Sequence, residues 1–84
     1  MGLIEELADK LARDAIAAAE DLDDPRLIDD IARMLADTSS TTKEAFMTSV
    51  RVRLAEARAR KFLEARIAKA RAAAKTTPGA PEKG

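Results

Sequence analysis

TKEAFMTSVRVRLAEARARKFLEARIAKARAAAK, residues 42–75, contains neither glycine nor proline. Ala, Arg, Lys, Leu and Glu fill most of it, and these residues have the highest helix propensities. Thr41 with Glu44 three residues later has the form of a capping box. The stretch therefore reads as one helix from about 42 to about 75. At ~1.5 Å per residue it would be roughly 50 Å long. Strand signals are nearly absent from the chain: Val50 and Val52 are its only valines, and it has no Tyr or Trp. The fold class implied is all-α.

Upstream of this helix lies a second break, Thr38-Ser-Ser-Thr-Thr. Before it, Asp24-Pro25 reads as a helix start. An Asp N-cap accepts free N–H groups, and Pro at the first helical position lacks the N–H that would go unpaired. A second helix over about 25–37 follows, with Leu27, Ile28, Ile31, Met34 and Leu35 as its apolar face. The first helix should span about 3–21. Leu3, Leu7, Leu11, Ala15, Ala18 and Leu22 form its stripe, Ile4, Ala8 and Ala19 widen it, and Ile16 falls off it. Glu5 and Glu6 suit the positive end of the helix dipole, whereas Glu20, Asp21, Asp23 and Asp24 oppose its negative end, which predicts fraying there. The short connection makes the first two helices a hairpin. The expected organisation is one helical domain over residues 1–75, a hairpin followed by a long third helix. A disordered tail is expected over residues 76–84, where two prolines and two glycines cluster.

Composition limits what such a domain can be. The chain has 84 residues, enough for one small domain. Its twenty large apolar side chains (eight Leu, five Ile, two Val, three Met, two Phe) make a thin core beside nineteen alanines. Without Cys there are no disulfides and no thiolate metal sites, which fits a reducing compartment. The acidic N-terminus lacks the basic and apolar regions of a signal peptide, and Glu6 breaks the myristoylation pattern after Gly2. No apolar run approaches the ~18 residues of a membrane span. The expected location is cytoplasmic.

Charge is segregated along the chain. Residues 1–42 hold four Lys/Arg against eleven Asp/Glu, a net 4 − 11 = −7; residues 43–84 hold eleven against four, a net +7. Such asymmetry marks interaction surfaces. The third helix also changes face. Projected at ~100° per residue from Phe46, the residues Phe46, Met47, Val50 and Leu54 fall within about 0–100°. Ala59, Phe62, Leu63, Ile67, Ala70 and Ala74 fall within about 160–300°. The first stripe should close the core. The second, surrounded by cations, makes the distal segment a basic amphipathic helix, suited to acidic protein grooves, nucleic-acid backbones or anionic membrane surfaces. The candidate partner-binding residues are Arg58, Phe62, Leu63, Arg66, Ile67, Lys69, Ala70 and Arg71. Arg53, Arg60, Lys61, Arg71 and Lys75 are expected to cluster on the side opposite Leu63 and Ile67. A sustained heptad fails, because the register Met47, Val50, Leu54, Ala57 meets Lys61 and Glu64.

Enzymatic chemistry finds no inventory here. There is no His, Cys or Tyr, no glycine-rich phosphate loop, and no base placed to activate Ser39, Ser40 or Ser49. Asp21, Asp23, Asp24, Asp29 and Asp30 do not have EF-hand spacing and lack its glycine, so no metal or cofactor is expected. The leading expectation is a non-enzymatic helical protein that binds another protein. In size and helix content the chain is similar to bacterial antiactivators, which mask transcriptional activators; the likeness is one of class, with no shared motif. The implied role is an inhibitor of a bacterial transcriptional regulator, and the Ala and Arg content suits a GC-rich bacterial genome. A nucleic-acid-binding accessory protein is the alternative. It is disfavoured by zero net charge and by only two aromatics for stacking. A self-associating assembly subunit is a third reading. In it a weak homodimer pairs two third helices antiparallel and brings their cations near Asp21, Asp23, Asp29 or Asp30 of the second copy.

Overall fold

The computed structural model describes residues 2–75, which form three helices: α1 (Leu3–Asp21), α2 (Leu27–Thr38) and α3 (Ser40–Lys75). The described residues contain no strand, so the chain is all-α, a short helical hairpin followed by a long third helix. The tail expected to be disordered, residues 76–84, lies outside the described residues. The chain divides after Leu54 into two units, so that α3 supplies its first turns to one and its remaining turns to the other.

The boundaries differ from the sequence expectation where turn chemistry intervenes. α1 ends at Asp21 as expected, and a Schellman motif closes it. Asp24 N–H donates to the Ala19 carbonyl at 2.9 Å, and Asp23 N–H donates to that of Glu20 at 3.2 Å. Asp23 takes the left-handed conformation there, with φ 51°, in a position usually held by glycine. Asp24-Pro25 then starts a turn rather than a helix. Leu27 N–H donates to the Asp24 carbonyl at 3.3 Å, and Arg26 N–H donates to Asp24 Oδ1 at 3.1 Å. Arg26 sits at φ −96°, ψ −7°, as the third residue of a type I turn should, with Pro at the second. The helix therefore begins two residues later than Pro25.

Ser39 joins α2 to α3. Its N–H donates to the Leu35 carbonyl at 2.7 Å and ends α2, while its Oγ accepts Thr42 N–H at 3.1 Å and caps α3. The Thr41–Glu44 capping box is thus not formed; Glu44 faces Lys43 Nζ at 3.3 Å instead. A serine two residues upstream of Thr41 captures the free amides first, and α3 starts at Ser40.

The core of the first unit is built on alanine. Ala8, Ala12 and Ala15 are buried along α1, Ala32 on α2, and Phe46 and Val50 on α3. Phe46 is wholly enclosed, at 0 % exposure. Leu11, Ile16, Ile28, Ile31, Leu35 and Met47 close around this cluster. The expected α1 stripe is rotated: Ile16 joins the core, whereas Leu3 and Leu7 stay 70 % and 55 % exposed and Leu22 is exposed as well. Small side chains at three-to-four spacing let the backbone of α1 approach the bulky Phe46, and the leucines are left at the margin. On α2, Ala32 is buried where Met34 was expected, and Met34 faces out.

Candidate interaction surface

Ala55–Lys75 is helical although every one of its side chains is exposed. Local chemistry accounts for the helix. Nine of these residues are alanine, and Ile67 is the only β-branched one. Glu56 accepts Arg60 Nε at 2.8 Å, with the acid four residues N-terminal to the base, the favourable order. Lys75 in the last turn suits the negative end of the dipole.

The face so displayed is apolar with cationic margins. Phe62, Leu63 and Ile67 are 65 %, 52 % and 40 % exposed. Ala70 lies one turn beyond Ile67 on the same side. The Arg66 guanidinium stands over the Phe62 ring, 5.0 Å from its centre, a contact worth ~0.5–1 kcal/mol at an exposed position. Arg58 and Lys69 project along one margin of the stripe and Arg71 along the other. The helix thus presents the sequence-derived candidates Arg58, Phe62, Leu63, Arg66, Ile67, Lys69, Ala70 and Arg71 together, all on its solvent surface. Seven cations against Glu56 and Glu64 give residues 55–75 a net 7 − 2 = +5. Among the described residues no carboxylate lies within ion-pair distance of Arg58, Arg66, Lys69 or Arg71.

Arg53 does not join the exposed basic cluster. It grips Asp9 of α1 with both branches of its guanidinium, Nε to Oδ1 at 2.8 Å and Nη2 to Oδ2 at 2.7 Å. These hydrogen bonds, with help from the Ser49 hydroxyl, hold the Asp9 carboxyl below its usual range against the opposing cost of desolvation. Among the described residues it is the one ion pair between different helices. The charge asymmetry of the two halves is thus joined at one point within the first unit.

A second surface escaped the sequence reading. Leu3, Ile4 and Leu7 form an exposed apolar edge at the start of α1. Asp14 and Asp21 project to the same side of that helix. The signal was Ala12, which stands between Ala8 and Ala15 at helical spacing and turns the buried row away from Leu3 and Leu7. Among the described residues no three acidic side chains converge as a metal site, and no helix is long and apolar enough to cross a membrane. No protein-family model matches this chain, and neither the curated proteins nor the solved structures contain a significant match to it.

Proposed function

We propose that this protein is a non-enzymatic regulator that acts by binding another protein through the distal part of α3. The supporting observation is the bare stripe of Phe62, Leu63 and Ile67 on an otherwise cationic helix. In proteins most helical stability comes from packing an amphipathic face, and this stripe has none within the described residues. The partner that fits has an apolar groove with acidic margins, in the helix-in-groove mode. Masking such a groove on a bacterial transcriptional regulator, as an antiactivator does, is the role this reading assigns. A cytoplasmic setting accords with it.

The test is capture from native cells with the full chain as bait, followed by mass spectrometry, repeated with the double variant Leu63→Asp, Ile67→Asp. The variant should keep the helical circular dichroism and cooperative melting of the parent and lose the captured protein. Capture that survives the double substitution would refute the reading, as would loss of cooperative melting, which would make the stripe part of the core. A sequence-selective DNA complex at nanomolar protein, weakening steeply with salt, would transfer the assignment to nucleic acid.

A further inference from the structure

We infer that the distal α3 surface has a second occupant besides its regulatory target: the exposed leucine edge of α1 on another copy of this chain. The inference rests on the reading of distal α3 as a docking helix.

Charge complementarity selects this pairing. Residues 1–54 carry seven Lys/Arg and twelve Asp/Glu, a net 7 − 12 = −5, and residues 55–75 carry +5. Two distal segments set side by side would bring +5 against +5, which opposes the α3–α3 homodimer that the sequence alone suggested. Setting distal α3 against α1 of another copy places opposite charges together.

The surfaces also match in kind and length. Leu3 and Leu7 on α1, and Phe62, Leu63 and Ile67 on α3, are all exposed. From Leu3 to Leu7 the exposed α1 edge rises about 6 Å, and from Phe62 to Ile67 the α3 stripe rises about 8 Å. Asp14 and Asp21 border the first, although Lys10 lies near them and Arg13 Nε is 3.3 Å from Asp14. Arg58, Lys69 and Arg71 border the second. The small buried core adds a motive: domains of this size often draw stability from a second copy. Each copy offers one donor helix and one acceptor edge, so the contact is heterologous. It closes into a dimer if a two-fold axis makes it reciprocal, into a ring if another rotation closes, and extends into a chain otherwise.

Sedimentation equilibrium of the full chain tests this with two variants, Leu7→Glu (acceptor edge spoiled) and Leu63→Glu (donor helix spoiled). Both side chains are exposed, and circular dichroism checks that each variant keeps its fold. The parent should associate at low salt and loosen at high salt. Each variant alone should be monomeric. An equimolar mixture should recover a 1:1 complex, because one intact donor then meets one intact acceptor. A monomeric parent at high concentration and low salt would overturn the inference. So would a Leu7→Glu chain that still associates, or a mixture without recovery. These failures are separable from failure of the functional reading: a monomeric parent whose capture of a cellular protein is lost on Leu63→Asp, Ile67→Asp leaves that reading standing.

Discussion

The two parts of α3 have the same helical backbone and opposite circumstances. From Ser40 to Leu54 the helix is capped by Ser39, anchored by buried Phe46 and Val50, and tied to α1 through Arg53. From Ala55 to Lys75 it carries a phenylalanine, leucine, isoleucine and arginines with no buried position at all. The first part is helical because it is packed. The second is helical because of alanine propensity, a spaced Glu–Arg pair and a basic last turn. Side chains of one type are therefore buried in one part and exposed in the other.

The phenylalanines give the sharpest contrast. Phe46→Ala removes the largest fully buried side chain and should cost about 3–5 kcal/mol. In a domain with so small a core this should abolish cooperative thermal unfolding followed by circular dichroism. Phe62→Ala should shift the midpoint of the same melt by no more than about 0.5 kcal/mol in stability, since an exposed ring is exchanged for a better helix former. Equal losses from both substitutions would erase the distinction between the two parts.

The serine cap comes next in size. Ser39→Ala leaves Thr42 N–H without its Oγ acceptor and should destabilise the first unit by about 0.5–2 kcal/mol. Native-state hydrogen exchange should report the loss at amides near Phe46. Amides of residues 55–75 should exchange quickly in parent and variant alike, because they open locally.

How far the sequence disclosed this arrangement depends on the region. The long helix and its change of face were legible, because a run without Gly or Pro and a shift in apolar phase are local signals. Phe46 and Val50 were correctly placed in the core. The face of α1 was legible only in part: Ala8 and Ala15 of the expected stripe are buried, but periodicity weighted by hydrophobicity favours Leu3 and Leu7 over Ala12. Which of two adjacent stripes turns inward depends on packing against residues of α2 and α3, Ala32 and Phe46 among them, a tertiary fact. The helix starts were missed for a different reason. Asp24-Pro25 and Thr41–Glu44 satisfy helix-cap patterns, yet nearby backbone amides found a type I turn and the Ser39 hydroxyl. The Asp9–Arg53 pair, 44 residues apart in sequence, had no local signal.

A smaller gain should come from Asp23→Gly. Asp23 holds φ 51° at the end of α1, where a side chain costs energy that glycine avoids. The variant should be more stable by about 0.5–1 kcal/mol, seen as a higher denaturant midpoint with unchanged slope. That gain belongs to the first unit and should leave the exchange rates of residues 55–75 unaltered. A drop in stability would mean that the Asp23 side chain supports the turn.

The smallest effect contrasts two arginine–carboxylate pairs, Arg53–Asp9 between helices and Arg60–Glu56 within one. Asp9 has its native pKa lowered, first by the Arg53 hydrogen bonds. A lowered native pKa means that the unfolded chain binds more protons in the acid range. The pair's contribution is therefore fully present above the unfolded aspartate value of about 3.9 and disappears as pH falls through the lower native value. Asp9→Asn should lower the melting temperature at neutral pH, and the difference from the parent should shrink on acidification through that window. Arg53→Lys should reproduce part of the loss, because an ammonium cannot make the two-branched contact. Glu56→Gln should leave the melting of the first unit unchanged at every pH, since its arginine partner lies in the same exposed helix. Parallel pH profiles for parent and Asp9→Asn would show that the interhelical pair contributes nothing to holding α3 against α1.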